Sequence, residues 1–187
     1  MDVILDLVVS AASIAVVVQY AASLRTHFRS TRMPVGTVVI SAVVIGTSAI
    51  YLLLLWLEQQ PIPAQLAGLL FEAGGMALFF AAIRASRAAA LKMAFDRENP
   101  HGLVTQGPYR YLRHPFYTSY LIFWIGWAIA TWSLWSVIPL AVITVIYVLA
   151  ALGEERKFSR TAMAADYADY RRKTGFFWPR LPGVAKG

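Results

Sequence analysis

The sequence predicts an all-α, polytopic integral membrane protein with five transmembrane helices and a cytoplasmic C-terminal helix. Of its 187 residues, 58% are hydrophobic and only 14% are charged, whereas a soluble domain usually carries about 25% charged residues. In addition, every Lys and Arg falls on the same side of the apolar segments. We expect a single domain without a Rossmann fold, because the chain is short and no glycine-rich dinucleotide motif follows a strand.

Five apolar segments approach the length of about 20 residues that a helix needs to cross a bilayer. In order, they are Val3–Leu24, Val35–Leu57, Ala64–Ile83, Phe116–Thr131 and Leu134–Leu152. Only Trp132 and Ser133 separate the last two, so we expect a tight helical hairpin there. We do not expect the first segment to be a cleaved signal peptide, because Asp2 and Asp6 stand where a basic region would be.

The basic residues predict the orientation. Of the 17 Lys and Arg residues, three lie between the first two segments, six between the third and fourth, and eight after the fifth. The positive-inside rule makes this side cytoplasmic, with the N-terminus outside and the C-terminus inside. Topology thus explains the net charge of +7, and we expect no nucleic-acid partner. The alanine- and arginine-rich composition favours a bacterial inner membrane, while the oligomeric state stays open.

The chain contains no cysteine, which excludes disulfides, thiolate zinc ligands and a cysteine nucleophile. Its three histidines are scattered, so we expect no metal site. The sequence also lacks a P-loop, an H-E-x-x-H motif and a G-x-S-x-G motif.

The densest polar segment, His101–Tyr117, holds two of the three histidines, two arginines and three tyrosines. The prolines at 108 and 115 disfavour helix at the preceding residue, which predicts an ordered, turning segment. Pro115 suits the first turn of the fourth helix, whose N-terminus could bind an anionic group. The alternative interpretation is a belt of interfacial Tyr, Arg and His residues that anchors the helix.

Three further polar features lie outside this segment. Glu154 and Glu155 come just after the fifth segment, and we expect an amphipathic helix to follow through Lys173. The adjacent carboxylates could hold a cationic ligand or pair with arginines, or the helix could simply lie on the headgroups. Glu72 is placed mid-membrane, where an ionisable group either serves function or bonds a neighbouring helix. Asp6 is expected near the outer surface.

The segment His101–Ser119, H-G-L-V-T-Q-G-P-Y-R-Y-L-R-H-P-F-Y-T-S, resembles the isoprenylcysteine carboxyl methyltransferase and phospholipid methyltransferase superfamily. The family pattern is H-x-L-V-T-x-G-P-Y-R-Y-x-R-H-P-x-Y-x-G, so Ser119 replaces its last glycine. The ending is also similar: the Glu154-Glu155 pair and the stretch A-D-Y-A-D-Y-R-R-K-T-G-F-F-W-P-R-L. The resemblance covers residues 100–182, while the first three segments match only as hydrophobic helices.

The resemblance implies an integral membrane methyltransferase that uses S-adenosylmethionine, with residues 1–83 as N-terminal spans and 84–187 as the cofactor-binding part. It implies cofactor contacts from His101, Leu103, Val104, Gly107, Pro108, Tyr109, Arg113, His114, Tyr117, Glu154 and Glu155. Arg113, His114 and Glu155 are the candidate catalytic residues. Tyr167, Tyr170, Arg171 and Glu72 are candidates for binding the acceptor.

The acceptor is expected to be lipophilic and to enter from the bilayer, either as a prenylcysteine-type carboxylate, as a phospholipid amine or as a small thiol. Two other interpretations stay open. An NADPH-dependent reductase of the sterol reductase type shares this C-terminal architecture, although those proteins are longer. A non-catalytic membrane scaffold or transport protein is the third possibility, but no internal repeat supports it.

Overall fold

The computed structural model describes residues 3–27, 35–95 and 103–180. These residues form six α-helices and no strand, so the predicted all-α class is confirmed. The helices are α1 (Val3–His27), α2 (Val35–Leu57), α3 (Ile62–Phe95), α4 (Pro115–Thr131), α5 (Val137–Phe158) and α6 (Ala164–Lys173). Two short 3₁₀ turns occupy Gly107–Arg110 and Leu134–Ser136.

Four helices in the described part of the chain are long and apolar enough to cross a membrane. Their spanning segments are Val3–Ser23, Val38–Leu57, Ile62–Ala89 and Leu134–Phe158. The remaining apolar helix, α4, has 17 residues, which corresponds to about 25 Å against a hydrocarbon thickness of about 30 Å. Four of the five predicted spans therefore match helices of spanning length.

Two helices run further than the sequence predicts. The third apolar segment was expected to end at Ile83, but α3 continues to Phe95, because the alanine-rich stretch that follows strongly favours helix. The fifth helix continues to Phe158, so Glu154 and Glu155 lie inside α5 and not just after it. Beyond α5, the Ser159 and Thr161 hydroxyls bond back to Arg156 O and Phe158 O, and the next helix begins only at Ala164.

The chain divides into two compact units: the first comprises Met1–Gly74 and Leu121–Tyr147, the second Gly75–Tyr120 and Val148–Gly187. The first unit has an aromatic core, in which Trp124 and Trp127 stack with ring centroids 5.7 Å apart. Helices α3 and α4 approach closely in this unit, since a Cβ at Gly68 would lie 2.6 Å from Gly126 O. Small residues permit such backbone contact between membrane helices.

Two side-chain hydrogen bonds join α1 to α3 within the first unit. Gln65 Nε2 donates to Asp6 Oδ1, and Ser13 Oγ donates to Glu72 Oε1 over 2.7 Å. In each pair the two residues are 59 positions apart in the sequence, so the two helices run parallel and in register. Asp6, expected near the outer surface, is only 1% exposed, because Gln65 accommodates its carboxylate inside the helix packing.

Candidate functional site

The segment that carries the motif packs against the C-terminal part of α3, within the second unit. Its 3₁₀ turn begins at Gly107, whose φ is +59°, and a Cβ there would lie 3.0 Å from Ala85 Cβ. The Tyr109 and Ser86 hydroxyl oxygens are 3.0 Å apart. The predicted ordered turn is therefore present, and Ser86, which sequence reasoning missed, fastens it to α3.

The residues after α6 fold back along the motif. Gly175 N donates to Tyr111 O over 2.9 Å, Arg113 N donates to Gly175 O over 2.8 Å, and Arg180 N donates to Tyr111 O over 3.1 Å. A Cβ at Gly175 would lie only 1.7 Å from Trp178 O. This position therefore requires glycine, and the tail from Thr174 to Arg180 is a fixed turn held against the motif.

Two tyrosines of α6 hold that helix in place. The Tyr170 hydroxyl donates to Tyr109 O over 2.7 Å and to Leu112 O over 3.2 Å. Burial raises the pKa of Tyr170 to about 12, so the hydroxyl keeps the proton that it donates. Tyr167 stacks on Phe158 with centroids 5.1 Å apart. Both side chains are buried, and their role in binding an acceptor stays a prediction.

The centre of the site is a buried ion pair between Arg113 and Glu155. Arg113 Nε lies 2.7 Å from Glu155 Oε1, and the two side chains are 10% and 6% exposed. The guanidinium also donates to Thr174 O over 2.6 Å and to Arg171 O over 3.3 Å. A buried ion pair is stable only when further hydrogen bonds satisfy both groups, and these carbonyls supply them for Arg113.

His114 shares the same carboxylate. Its Nε2 lies 3.2 Å from Glu155 Oε1, and the ring of Phe176 meets the imidazole edge-on at 5.0 Å. Burial lowers the pKa of His114, and this effect outweighs the hydrogen bond to Glu155 and the charge of Glu154, which raise it. Because the Glu155 carboxylate can only accept, a neutral ring that bonds to it carries its proton on Nε2 and leaves a lone pair on Nδ1.

Glu154 differs from its neighbour in exposure. The Tyr117 hydroxyl donates to Glu154 Oε1 over 2.7 Å, and Glu154 Oε2 lies 3.8 Å from His114 Nδ1. The side chain is nevertheless 48% exposed, because adjacent helical residues point about 100° apart. Glu155 is thus used by the protein's own side chains, whereas Glu154 is accessible to a ligand.

Residues that were not predicted from the sequence join the tail to α4. The Thr118 hydroxyl lies 3.2 Å from Phe177 O and 3.1 Å from His114 O. Their signal was weak, because a threonine in an apolar helix and a phenylalanine pair in a tail are individually common. Ser119, which replaces the family glycine, is fully buried and donates to Phe116 O over 2.7 Å, so its hydroxyl is satisfied within α4.

The structure brings together most of the residues predicted for the site. The second unit gathers Gly107, Pro108, Tyr109, Arg113, His114, Tyr117, Glu154, Glu155, Tyr167, Tyr170 and Arg171. Leu103 and Val104 precede the 3₁₀ turn and are partly buried. His101 lies outside the described residues. Glu72 belongs to the first unit, where it is 2% exposed and bonded to Ser13, and its contact with an acceptor stays a prediction.

Comparison with known proteins gives two matches. The profile of the phospholipid methyltransferase family matches residues 64–165. The cobalt-zinc-cadmium resistance protein CzcN of Cupriavidus metallidurans is 37% identical over 79 residues, which cover 42% of this chain and 36% of that protein. The chain thus spans about a third of the length of this curated relative. No solved structure matches.

Proposed function

The chain belongs to the phospholipid methyltransferase family, and from this membership we propose that it moves a methyl group from S-adenosylmethionine to a lipophilic acceptor. We further propose five spans that include α4, because an odd number is needed to place the N-terminus outside and the C-terminus inside. The distribution of all 17 basic residues supports that orientation. The candidate site then belongs to the cytoplasmic face of a bacterial inner membrane.

The observation that carries the proposal is the half-exposed carboxylate of Glu154 beside His114 and Tyr117. S-adenosylmethionine carries a sulfonium and an ammonium, and it supplies an electrophilic methyl group when bound. A carboxylate held by a tyrosine hydroxyl is a suitable partner for either cation. The ring of Tyr117 adds an aromatic face, which attracts cations. The donor set of the second unit therefore fits this cofactor.

The other residues would position this set and manage the proton. Glu155 fixes both Arg113 and His114, and Arg113 in turn fixes the tail through Thr174 O. The Nδ1 lone pair of His114 could accept a proton from an amine or a thiol acceptor. A carboxylate acceptor would need no base. The ring of Phe176 covers the imidazole and helps to exclude water.

Binding of the product S-adenosylhomocysteine tests the proposal. The purified protein in detergent should unfold at a higher temperature with S-adenosylhomocysteine than without it, because a ligand at about 100 times its Kd adds about 2.7 kcal/mol. NADPH at the same concentration should have little effect. The reverse order would favour the reductase, and no response to either ligand would favour the scaffold or transport protein.

The acceptor can be identified separately. Membranes that contain the protein are incubated with S-adenosylmethionine labelled in its methyl group, and the labelled product is extracted into lipid, protein and small-molecule fractions. We expect label in an apolar fraction, because the acceptor is proposed to enter from the bilayer. Label confined to water-soluble products would contradict a lipophilic acceptor while leaving the methyltransferase activity intact.

A further inference from the structure

The tail after α6 borders an open cavity at the protein surface. Its volume is about 800 Å³, within the range of ligand sites. It is lined by Arg113, Arg171, Thr174, Gly175, Phe176, Phe177, Trp178, Pro179 and Arg180. His114, Tyr117 and Glu154, which carry the proposed contacts with the cofactor, do not line it, although Arg113 and Phe176, which position that set, do.

The cavity is electropositive. Of its three guanidinium groups, that of Arg113 is neutralised by Glu155. Arg171 is 63% exposed, and its Nε lies 3.8 Å from the same carboxylate. The single negative charge of Glu155 cannot neutralise both Arg113 and Arg171. Arg180 is exposed, and its Nη1 donates to Arg172 O, a neutral carbonyl. Among the described residues, no other carboxylate pairs with Arg171 or Arg180, so positive charge is left over on both.

An exposed tryptophan stands at the rim of this cavity. Trp178 is 83% exposed, although its carbonyl packs over Gly175 and the flanking backbone is bonded to Tyr111. The fixed turn therefore presents a large apolar ring at the surface beside the cavity. Tryptophan is enriched where a protein meets lipid headgroups, because its apolar ring and its N–H suit that boundary.

We propose that this cavity binds the headgroup phosphate of an anionic lipid of the cytoplasmic leaflet. Arg171 and Arg180 hold the phosphate, and Trp178 lies among the headgroups beside it. This inference rests on the orientation given under the proposed function. The exposed tryptophan beside the two arginines favours a lipid over a free phosphate, because a soluble anion would leave that ring in water. Anionic lipids attract basic residues near the surface by about 1 kcal/mol each.

Native mass spectrometry of the full chain tests this directly. The detergent-purified protein is mixed with equimolar phosphatidylglycerol and phosphatidylcholine, and the ratio of the two lipids retained is measured. Arg180→Gln should lower the ratio about fivefold, the equivalent of one basic residue. Arg180→Lys should restore most of it. The matched control is Arg156→Gln, which removes the same charge from an exposed position outside the cavity and should leave the ratio within about twofold.

Several results would overturn the inference. Equal ratios of the two retained lipids in the wild type, Arg180→Gln and Arg156→Gln would show that the cavity is not a selective lipid site. Displacement of phosphatidylglycerol by inorganic phosphate at equal concentration would assign the cavity to a free anion. Displacement by S-adenosylhomocysteine would assign it to the active site. The unfolding temperature without ligand, measured on the same samples, shows that each variant is folded, and its rise with S-adenosylhomocysteine reports separately on the proposed methyltransferase.

Discussion

Arg113 and Glu155 lie 42 residues apart in the chain and meet as a buried ion pair, with 2.7 Å between Nε and Oε1. The pair joins the end of the motif to the last turn of α5, and its carboxylate also accepts from His114 Nε2. Loss of either charge would leave the other buried without compensation. The pair is therefore the contact on which the order of the site most depends.

Arg113→Met should destabilise the protein by about 3 kcal/mol, the cost of leaving one member of a buried ion pair uncompensated. Chemical denaturation in detergent micelles measures the change. Arg172→Met is the matched control, because Arg172 is 77% exposed and pairs with Asp169, which is also exposed, and it should cost less than about 1 kcal/mol. Similar losses in both variants would show that the Arg113 pair is not buried as described.

Gly175→Ala should detach the tail, because the new Cβ would lie 1.7 Å from the carbonyl of Trp178. We expect faster tryptic cleavage after Arg171, Arg172 and Lys173 and a lower unfolding temperature. Gly153→Ala is the control, since nothing lies within 4 Å of a Cβ there and alanine favours the helix by about 1 kcal/mol. Unchanged cleavage in Gly175→Ala would contradict the fixed turn.

The sequence predicted the membrane helices well because apolar length is a local property. It placed Pro115 correctly in the first turn of α4. The lengths of α3 and α5 were underestimated, because apolarity marks where a helix leaves the membrane and not where its hydrogen bonding ends. Both helices continue into polar residues that still favour helix.

Pairings over long sequence distances were not predictable in the same way. The two adjacent glutamates look alike in sequence, yet one is buried by Arg113 and the other is half exposed. Nothing local distinguishes them, because the difference comes from a partner 42 residues away. Likewise, Glu72 was recognised as costly within the membrane, but its partner Ser13 lies 59 residues earlier and carries no signal of its own.

His114 predicts a pH dependence of stability. Its pKa is lowered in the folded protein, so the folded state binds fewer protons than the unfolded state below a pH of about 6.5. The contribution of the neutral buried imidazole to the stability of the fold is fully present above that pH. It is lost as the pH falls towards the lowered pKa of His114 in the folded protein. The unfolding temperature should therefore fall more steeply on acidification in the wild type than in His114→Gln. Parallel curves would contradict a neutral buried imidazole.

The hydrogen bond between Ser13 and Glu72 should contribute to the packing of α1 on α3. Ser13→Ala and Glu72→Ala should each destabilise the protein, and the double variant should lose less than the sum by about 1 kcal/mol. Glu72→Gln should be close to the wild type, because its amide oxygen can accept the same bond. A raised KM for the acceptor in Glu72→Gln, at unchanged stability, would instead support the predicted acceptor role.

Glu154→Gln should weaken S-adenosylhomocysteine binding without destabilising the protein. The carboxylate is 48% exposed, so removing its charge leaves no buried cation unpaired, whereas a charged hydrogen bond to a ligand is worth about 1.5–3 kcal/mol. We expect Kd to rise at least about tenfold, measured by calorimetry. Glu58→Gln is the control, since Glu58 accepts a hydrogen bond from Ser133 in the first unit.

Tyr117→Phe should have a smaller effect than Glu154→Gln, because it removes only the hydroxyl that orients the carboxylate. If Glu154→Gln binds as tightly as the wild type, the exposed glutamate is not the cation partner, and the cofactor must be held by other residues of the second unit.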